Sequence, residues 1–324
     1  MNDKKNTSKY LSQLIAVSKM YYEKNMTQQQ ISETIHMHRT EISRLLKEAR
    51  KLGIVKFTIN DGMQDISTLE HFFIEKFNLK DALIVPTNVY EQNVLESLGT
   101  ISAKYLEKLF HSNMIIGLSW GKTVAGTVKK VSSEHHLKNT TVIPLIAGPL
   151  GKLPNDYHAN TIVIKLSQKL SANKSTLEAP AIVSSKEVMQ ELLNNPNNQS
   201  VVQKWNKLDV AIVGIGSDLI TNQSRWKAFY KDTSFENEFK TSGGVGDILS
   251  QPFDYDGRIV DFSANIISLK LSDLMNVPNT IAIAEGNLKI KSIIGALRTG
   301  IINTLITTDL TAIKIKEELE KSQM

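Results

Sequence analysis

The chain has no cysteine among its 324 residues. That excludes disulfide bridges, thiolate nucleophiles and cysteine-ligated zinc. Long apolar runs are missing too: no stretch approaches the roughly 20 apolar residues of a membrane span. The polar, lysine-bearing start, Met1 to Tyr10, leads into no signal-peptide core, so the chain reads as cytoplasmic. Aromatics are sparse at 6%, and the three tryptophans are dispersed. His135-His136 offers no metal-ligand spacing, and no metal or cofactor is expected. What remains is an apolar fraction of 41%, enough to bury a core, and a length that suits two domains.

Charge is distributed unevenly. The net charge is +5, but residues 1–60 carry +6 and the remainder −1. A small basic head on a neutral body suits a phosphate-backbone binder, although such a field attracts any polyanion.

Within the head, Leu11, Leu14, Ile15, Val17, Ser18 and Tyr21 recur at helical spacing and predict a helix from about Lys9 to Glu23. Thr27, with Gln30 three residues on, forms a capping-box pattern that opens a second helix with Ile31 and Ile35 inward. His36-Met37-His38 breaks the period. A third helix follows from about Arg39 to Lys51, with Ile42, Leu45, Leu46 and Ala49 facing in. Gly53 ends it, and residues 54–59 alternate like a strand, which leaves a winged type open.

Two short helices across a three-residue turn, the second basic at its start, are a helix-turn-helix. The second of the pair can enter the major groove of double-stranded operator DNA. Arg39 and Arg44 can contact guanine bidentately; Thr40, Ser43 and Lys47 can reach bases or phosphates. Thr27, Gln28 and Gln29, at the start of the preceding helix, are candidates for a phosphate. His38 and Glu41 complete the candidate DNA-facing set; Glu41 could accept from a cytosine amine. The competing readings are a three-helix protein-docking module and a binding module that never touches DNA.

After residue 60, apolar runs alternate with helical patterns. The runs are Ala82–Val85, Met114–Leu118, Thr141–Ile146, Val210–Ile215, Ile266–Leu271, Thr280–Ala284 and Asn303–Thr307. Helical patterns cover Ile66–Phe77, Val94–Phe110, Lys122–Val131, Ala159–Leu170, Lys186–Asn194, Ile290–Thr299 and Thr311–Lys321. Such alternation predicts an α/β domain with a mainly parallel sheet, binding ligands at the carboxyl ends of its strands. Residues 194–199 read as a polar loop. The predicted domains are 1–60 (DNA binding), 61–80 (linker and connecting helix) and 81–324 (effector binding).

Four loops there are rich in small residues: Gly117–Thr123, Gly214–Ser217, Gly243–Ile248 and Glu285–Lys289. The first is not a P-loop, since three residues rather than four separate its glycines. A Ser/Gly/Lys/Thr turn that opens a helix is nevertheless an anion site in form. Together the four suggest a polar cleft for a small molecule.

The segment Tyr21–Ile59, with Gln28-Gln29-Gln30-Ile31, Ile42-Ser43-Arg44-Leu45-Leu46, Ala49-Arg50 and Gly53-Ile54-Val55, resembles the helix-turn-helix of SorC/DeoR-type sugar-binding regulators. The body carries seven further matches in order, among them Gly117–Thr123, Ala179-Pro180, Gly214–Gly216, Gly243–Ile248 and Ala296–Asp309. The resemblance implies an effector domain like ribose-5-phosphate isomerase and glucosamine-6-phosphate deaminase, binding a sugar or sugar phosphate without turnover. It implies an operator-binding regulator of a carbohydrate-utilisation operon, assembled as a homodimer or homotetramer. Carried over position by position, it places effector contacts on Ser119, Gly121, Lys122, Thr123, Gly148, His158, Asp247 and Lys289. Trp120, Gly246, Gly286 and Asn287 flank them; Trp120 suits the core better than sugar stacking.

Two departures bear on the effector. Glu285 replaces a family glycine, and Asn265 stands where many relatives carry arginine. That is a change of two charge units beside the expected phosphate. Each unit at ~4 Å is worth about 1 kcal/mol in water and about 4 kcal/mol at a partly buried surface. A phosphosugar remains the expectation, with an uncharged sugar or polyol open. The alternative function is a sugar-phosphate isomerase or deaminase with a DNA-binding head, for which Asp247, Glu285 and His158 are the available acid/base groups.

Overall fold

The computed structural model describes residues 2–24, 26–55, 63–87, 93–133, 136–148, 154–217, 241–261 and 263–321. The chain divides into two compact units, Met1–Asp61 and Gly62–Met324.

The first unit is helical: α1 (Asn2–Tyr22), α2 (Gln28–Ile35) and α3 (Arg39–Lys51). α1 starts seven residues before the predicted start at Lys9, because its first turns are polar and carry no periodic signal. The capping box forms as the pattern requires. Thr27 Oγ1 accepts from the Gln30 amide at 3.2 Å, and Gln30 Oε1 accepts from the Thr27 amide at 2.9 Å. His36 ends α2 in the left-handed region at φ 52°. Leu14, Val17, Ile31, Ile42, Leu45, Leu46 and Ala49 close a small core. The strand-like run beyond Val55 falls on residues outside those described, so the wing expectation does too.

The second unit is α/β. Its strands are β1 (Asp81–Val85), β2 (Ile115–Leu118), β3 (Thr141–Pro144), β4 (Asn173–Lys174), β5 (Ile182–Val183), β6 (Val210–Val213), β7 (Gly244–Ile248), β8 (Gln251–Asp254), β9 (Asn265–Ile266), β10 (Asn279–Ile283) and β11 (Thr304–Thr308). Its helices are α4 (Met63–Phe77), α5 (Val94–Leu109), α6 (Lys122–Lys130), α7 (Ala159–Leu170), α8 (Lys186–Asn194), α9 (Pro196–Trp205), α10 (Leu271–Leu274), α11 (Ile290–Arg298) and α12 (Asp309–Lys321). Seven strands form one parallel sheet in the order β1-β11-β10-β6-β2-β3-β4.

Side chains alternate between the two sheet faces, as the pleat demands. Val210 and Ile212 of β6 pack with α5, α6 and α7. Ala211 and Val213 pack on the opposite side with residues of α4, α9, α11 and α12. Helices therefore cover both faces, the usual setting of a parallel sheet. α4 lies on this body: Phe73 is fully buried in it, stacked on Phe77 at 6.0 Å.

Three sequence expectations change. Residues 194–199 are not a loop: Pro196 takes the first position of α9 and Asn195 accepts from the Asn197 amide as its cap. The run Ile266–Leu271 is not a strand of the seven-stranded sheet. Ile266 pairs antiparallel with Ile182, the Leu269 amide then donates to Leu145 O at 2.8 Å, and Leu271 starts α10. The glycine-rich Gly243–Ile248 is not a strand-end loop either. It supplies β7, which forms an antiparallel hairpin with β8. The hairpin turns at Leu249 and Ser250, both left-handed (φ 53° and 62°), with neither glycine nor asparagine to announce it.

Candidate functional site

In the head, α3 presents Arg39, Thr40, Ser43, Arg44 and Lys47 to solvent, while its opposite side is the buried core. Helical spacing sets 40, 43, 44 and 47 along one side. His38 precedes the helix and is exposed; Glu41 is half-buried in its first turn. The Thr27 hydroxyl is committed to the capping box, and Gln29 Nε2 donates to Glu33 Oε1 at 2.9 Å. Arg50 has a different task. Its guanidinium donates twice to Tyr22 Oη, at 2.8 and 2.9 Å, pinning the end of α3 to α1.

In the body, the segments after β2, β6 and β10 converge with the β7–β8 hairpin on one cavity of about 400 Å³. Carboxyl ends of parallel strands are where such a cleft is expected. After β2, Ser119, Trp120 and Gly121 enter the wall and α6 opens on it with Lys122 and Thr123. Gly121 permits this turn: it stands at φ 122°, and its amide donates to Tyr157 O at 3.1 Å. Ser119 Oγ accepts from the Gly214 amide at 3.1 Å, tying the first loop to the loop after β6. Glu285, Gly286, Asn287 and Lys289 form the opposite wall.

Asp247 and Lys289 both line the cavity and influence each other electrostatically. Asp247 Oδ2 accepts from the Ser250 amide at 3.1 Å. Burial pushes its carboxyl up to about 6, against the pull of that amide and of Lys289. Lys289 Nζ donates to Ile215 O at 2.7 Å. Burial lowers its pKa, while Asp247 and Glu285 act to raise it. Glu285 lines the same cavity and influences Lys289 electrostatically. With Lys122 at the mouth, two cations and two carboxylates share the lining.

Ten of the fourteen candidate effector residues line this cavity; Gly148, His158, Gly246 and Asn265 do not. Gly148 bridges to Pro180, exchanging backbone bonds with Ala179 and Ala181. His158 precedes α7, next to the Tyr157 carbonyl that holds Gly121. Gly246 is a packing position, where a Cβ would stand 2.7 Å from Ser292 Cβ and 2.8 Å from Gly216 O. Asn265 pairs with Val183 in the small β5–β9 sheet. The cavity also takes Leu95, Val124, Leu249 and Ser250, for which the sequence carries no motif signal. Among the described residues no three His, Cys, Asp or Glu side chains could share a metal ion, and no helix could cross a membrane.

Residues 61–315 match the model of the sugar-binding domain family Sugar-bind. The chain is 32% identical over 302 residues to the sorbitol operon regulator of Klebsiella pneumoniae, covering 92% of this chain and 96% of that protein. It is 26% identical to the deoxyribonucleoside regulator of Bacillus subtilis strain 168, over 94% of this chain and 97% of the relative. The crystal structure of the full-length K. pneumoniae regulator SorC superposes with a TM-score of 0.74 at 31% identity, covering 94% of this chain and 98% of that one. The likeness thus runs over nearly the whole length of both chains, and the chain belongs to the SorC-type family of sugar-binding transcription regulators.

Proposed function

We propose that this regulator controls a carbohydrate-utilisation operon, with residues 1–60 binding double-stranded operator DNA and residues 81–324 binding a sugar or sugar phosphate. Residues 61–80 connect the two. The convergence of three strand-end segments and a hairpin on one cavity carries the reading. Its size suits a small molecule, and its paired charges suit many hydroxyls. Asp247 and Glu285 accept from hydroxyls, Lys289 donates, and the amides at the start of α6 with Lys122 are suited to an anionic end. Because Glu285 offsets Lys289, an effector phosphate belongs at α6 rather than beside Lys289.

In the head, Arg39, Thr40, Ser43, Arg44 and Lys47 face the DNA, with Thr27, Gln28, Gln29, His38 and Glu41 around them. A single helix-turn-helix reads a palindrome through a symmetric partner, so the working species is a homodimer or homotetramer in the cytoplasm. The relatives are named for a sorbitol operon and for deoxyribonucleosides, which makes polyols and pentose phosphates the first probes. A thermal-shift screen of D-sorbitol, D-sorbitol 6-phosphate and deoxyribose 5-phosphate, followed by operator binding with each hit, tests the proposal. A ligand that stabilises the protein and changes operator affinity supports it. Stabilisation without any change in operator affinity would refute the regulatory half.

A further inference from the structure

The wall formed by residues 286–289 is bonded on its outer side to α12. The Gly286 amide donates to Thr311 Oγ1 at 3.0 Å. Lys314 Nζ donates to Asn287 Oδ1 at 2.7 Å. Thr311 and Lys314 are three residues apart, so both bonds leave one side of α12. Asn287 is shared: it lines the cavity, and its side-chain oxygen is held by a helix outside it.

Further along, α12 packs on α4. Ala312, Ile315 and Leu319 are buried in the same core as Leu69 and Phe73 of α4. The Lys316 ammonium sits over the Phe72 ring, 5.5 Å from its centre. α4 is the first element of the second unit, and the head unit ends at Asp61.

The wall joins the next helix through a turn of a different helical type. Asn287–Lys289 is a single 3-10 turn, closed by the Lys289 amide donating to Gly286 O at 3.0 Å. It runs directly into α11 through Ile290, which is already helical (φ −54°, ψ −53°). 3-10 turns are frequent at the N-termini of α-helices, and such a turn can join the helix by re-pairing a few amides. Gly286, at φ 108°, imposes no Cβ penalty on that change. The change would rotate Asn287 and pull on Lys314.

We infer that α12 is the relay of effector occupancy: Asn287 and Gly286 pass a change in the 286–289 turn to Lys314 and Thr311, and α12 passes it to α4. Lys314 is a positioning residue, acting through Asn287. The inference rests on the cavity being the effector site. A ligand shifts the turn only by binding its two conformations unequally, and Asn287 provides that difference because it faces both ligand and relay.

Hydrogen–deuterium exchange on the full chain tests it, comparing wild type, Lys314→Ala, Lys314→Arg and the control Lys321→Ala at the far end of α12. Lys314 and Lys321 are exposed, so both alanine variants keep the fold. Without ligand, Lys314→Ala speeds exchange of α4 amides by threefold or more, while Lys314→Arg and Lys321→Ala leave it unchanged. With saturating D-sorbitol 6-phosphate or D-sorbitol, wild type gains protection in residues 117–125 and in α4; Lys314→Ala gains it in 117–125 alone. An α4 response identical in wild type and Lys314→Ala, with or without ligand, overturns the relay. Absence of protection at 117–125 in wild type instead counts against the cavity reading, and the ligand-free comparison then decides the relay alone.

Discussion

Gly216 and Asp247 share one volume. A Cβ on Gly216 would stand 1.8 Å from Asp247 Oδ1, so the carboxylate occupies the space that any other residue would fill. Backbone pairing holds them together, the Gly216 amide donating to Asp247 O at 2.9 Å. The glycine after β6 is therefore what lets the β7–β8 hairpin bring its carboxylate to the cavity. Gly216→Ala is expected to displace Asp247 and weaken effector affinity tenfold or more, which calorimetric titration would measure. Unchanged affinity would mean that Asp247 takes no part in binding.

The raised Asp247 carboxyl makes stability depend on pH. Its pKa rises from 3.8 to about 6 on folding. The folded state then holds the proton more tightly, so this group favours folding fully below pH ~4 and loses that contribution as pH rises through ~6. A two-unit shift caps the effect at about 3 kcal/mol. Asp247→Asn should raise the melting temperature of the ligand-free protein at pH 7.5 and flatten its dependence between pH 5 and 7. Parallel curves for the two proteins would contradict the assignment.

Arg44 and Arg50 are both exposed arginines of α3, yet they should fail differently. Arg44→Ala is expected to weaken operator binding by roughly 1–3 kcal/mol without loss of thermal stability. Arg50→Ala removes the two bonds to Tyr22 Oη and should lower the stability of the head. Gel shifts and thermal melts on both variants separate the roles; equal loss of operator affinity with intact stability would place Arg50 on the DNA instead.

Thr27→Ala deletes the hydroxyl that caps α2. The expected cost is about 1 kcal/mol of head stability, read by denaturant titration. A Thr27→Ser variant, which keeps the oxygen, should recover most of it.

Much of this was legible in the order of residues, for reasons that are local. Periods of 3.6 and 2 reflect which side chains must leave water, and they located α7 and α8 at their observed ends and the central strands within a residue or two. The capping box needs only Thr27 and Gln30. The excess positive charge of the head is a count. The small-residue loops Gly117–Thr123 and Glu285–Lys289 pointed to two parts of one cavity lining.

Other features depend on partners far away in the chain. Gly243–Ile248 reads as a loop by composition and becomes a strand because Gln251–Asp254 pairs with it. Glu285 shares a cavity with Lys122 and Asp247 only because segments from three strand ends and a hairpin converge, and Leu95 enters the wall because α5 packs against α6. The bond between Lys314 and Asn287 spans 27 residues, and no local pattern encodes it. The sequence alone determined most helices and the central strands, the basic head and the family, because each rests on short-range pattern or charge. Only the tertiary structure decided which side chains meet at the cavity and what lies behind its wall, because those distances are set by the sheet order and by helices packed across it.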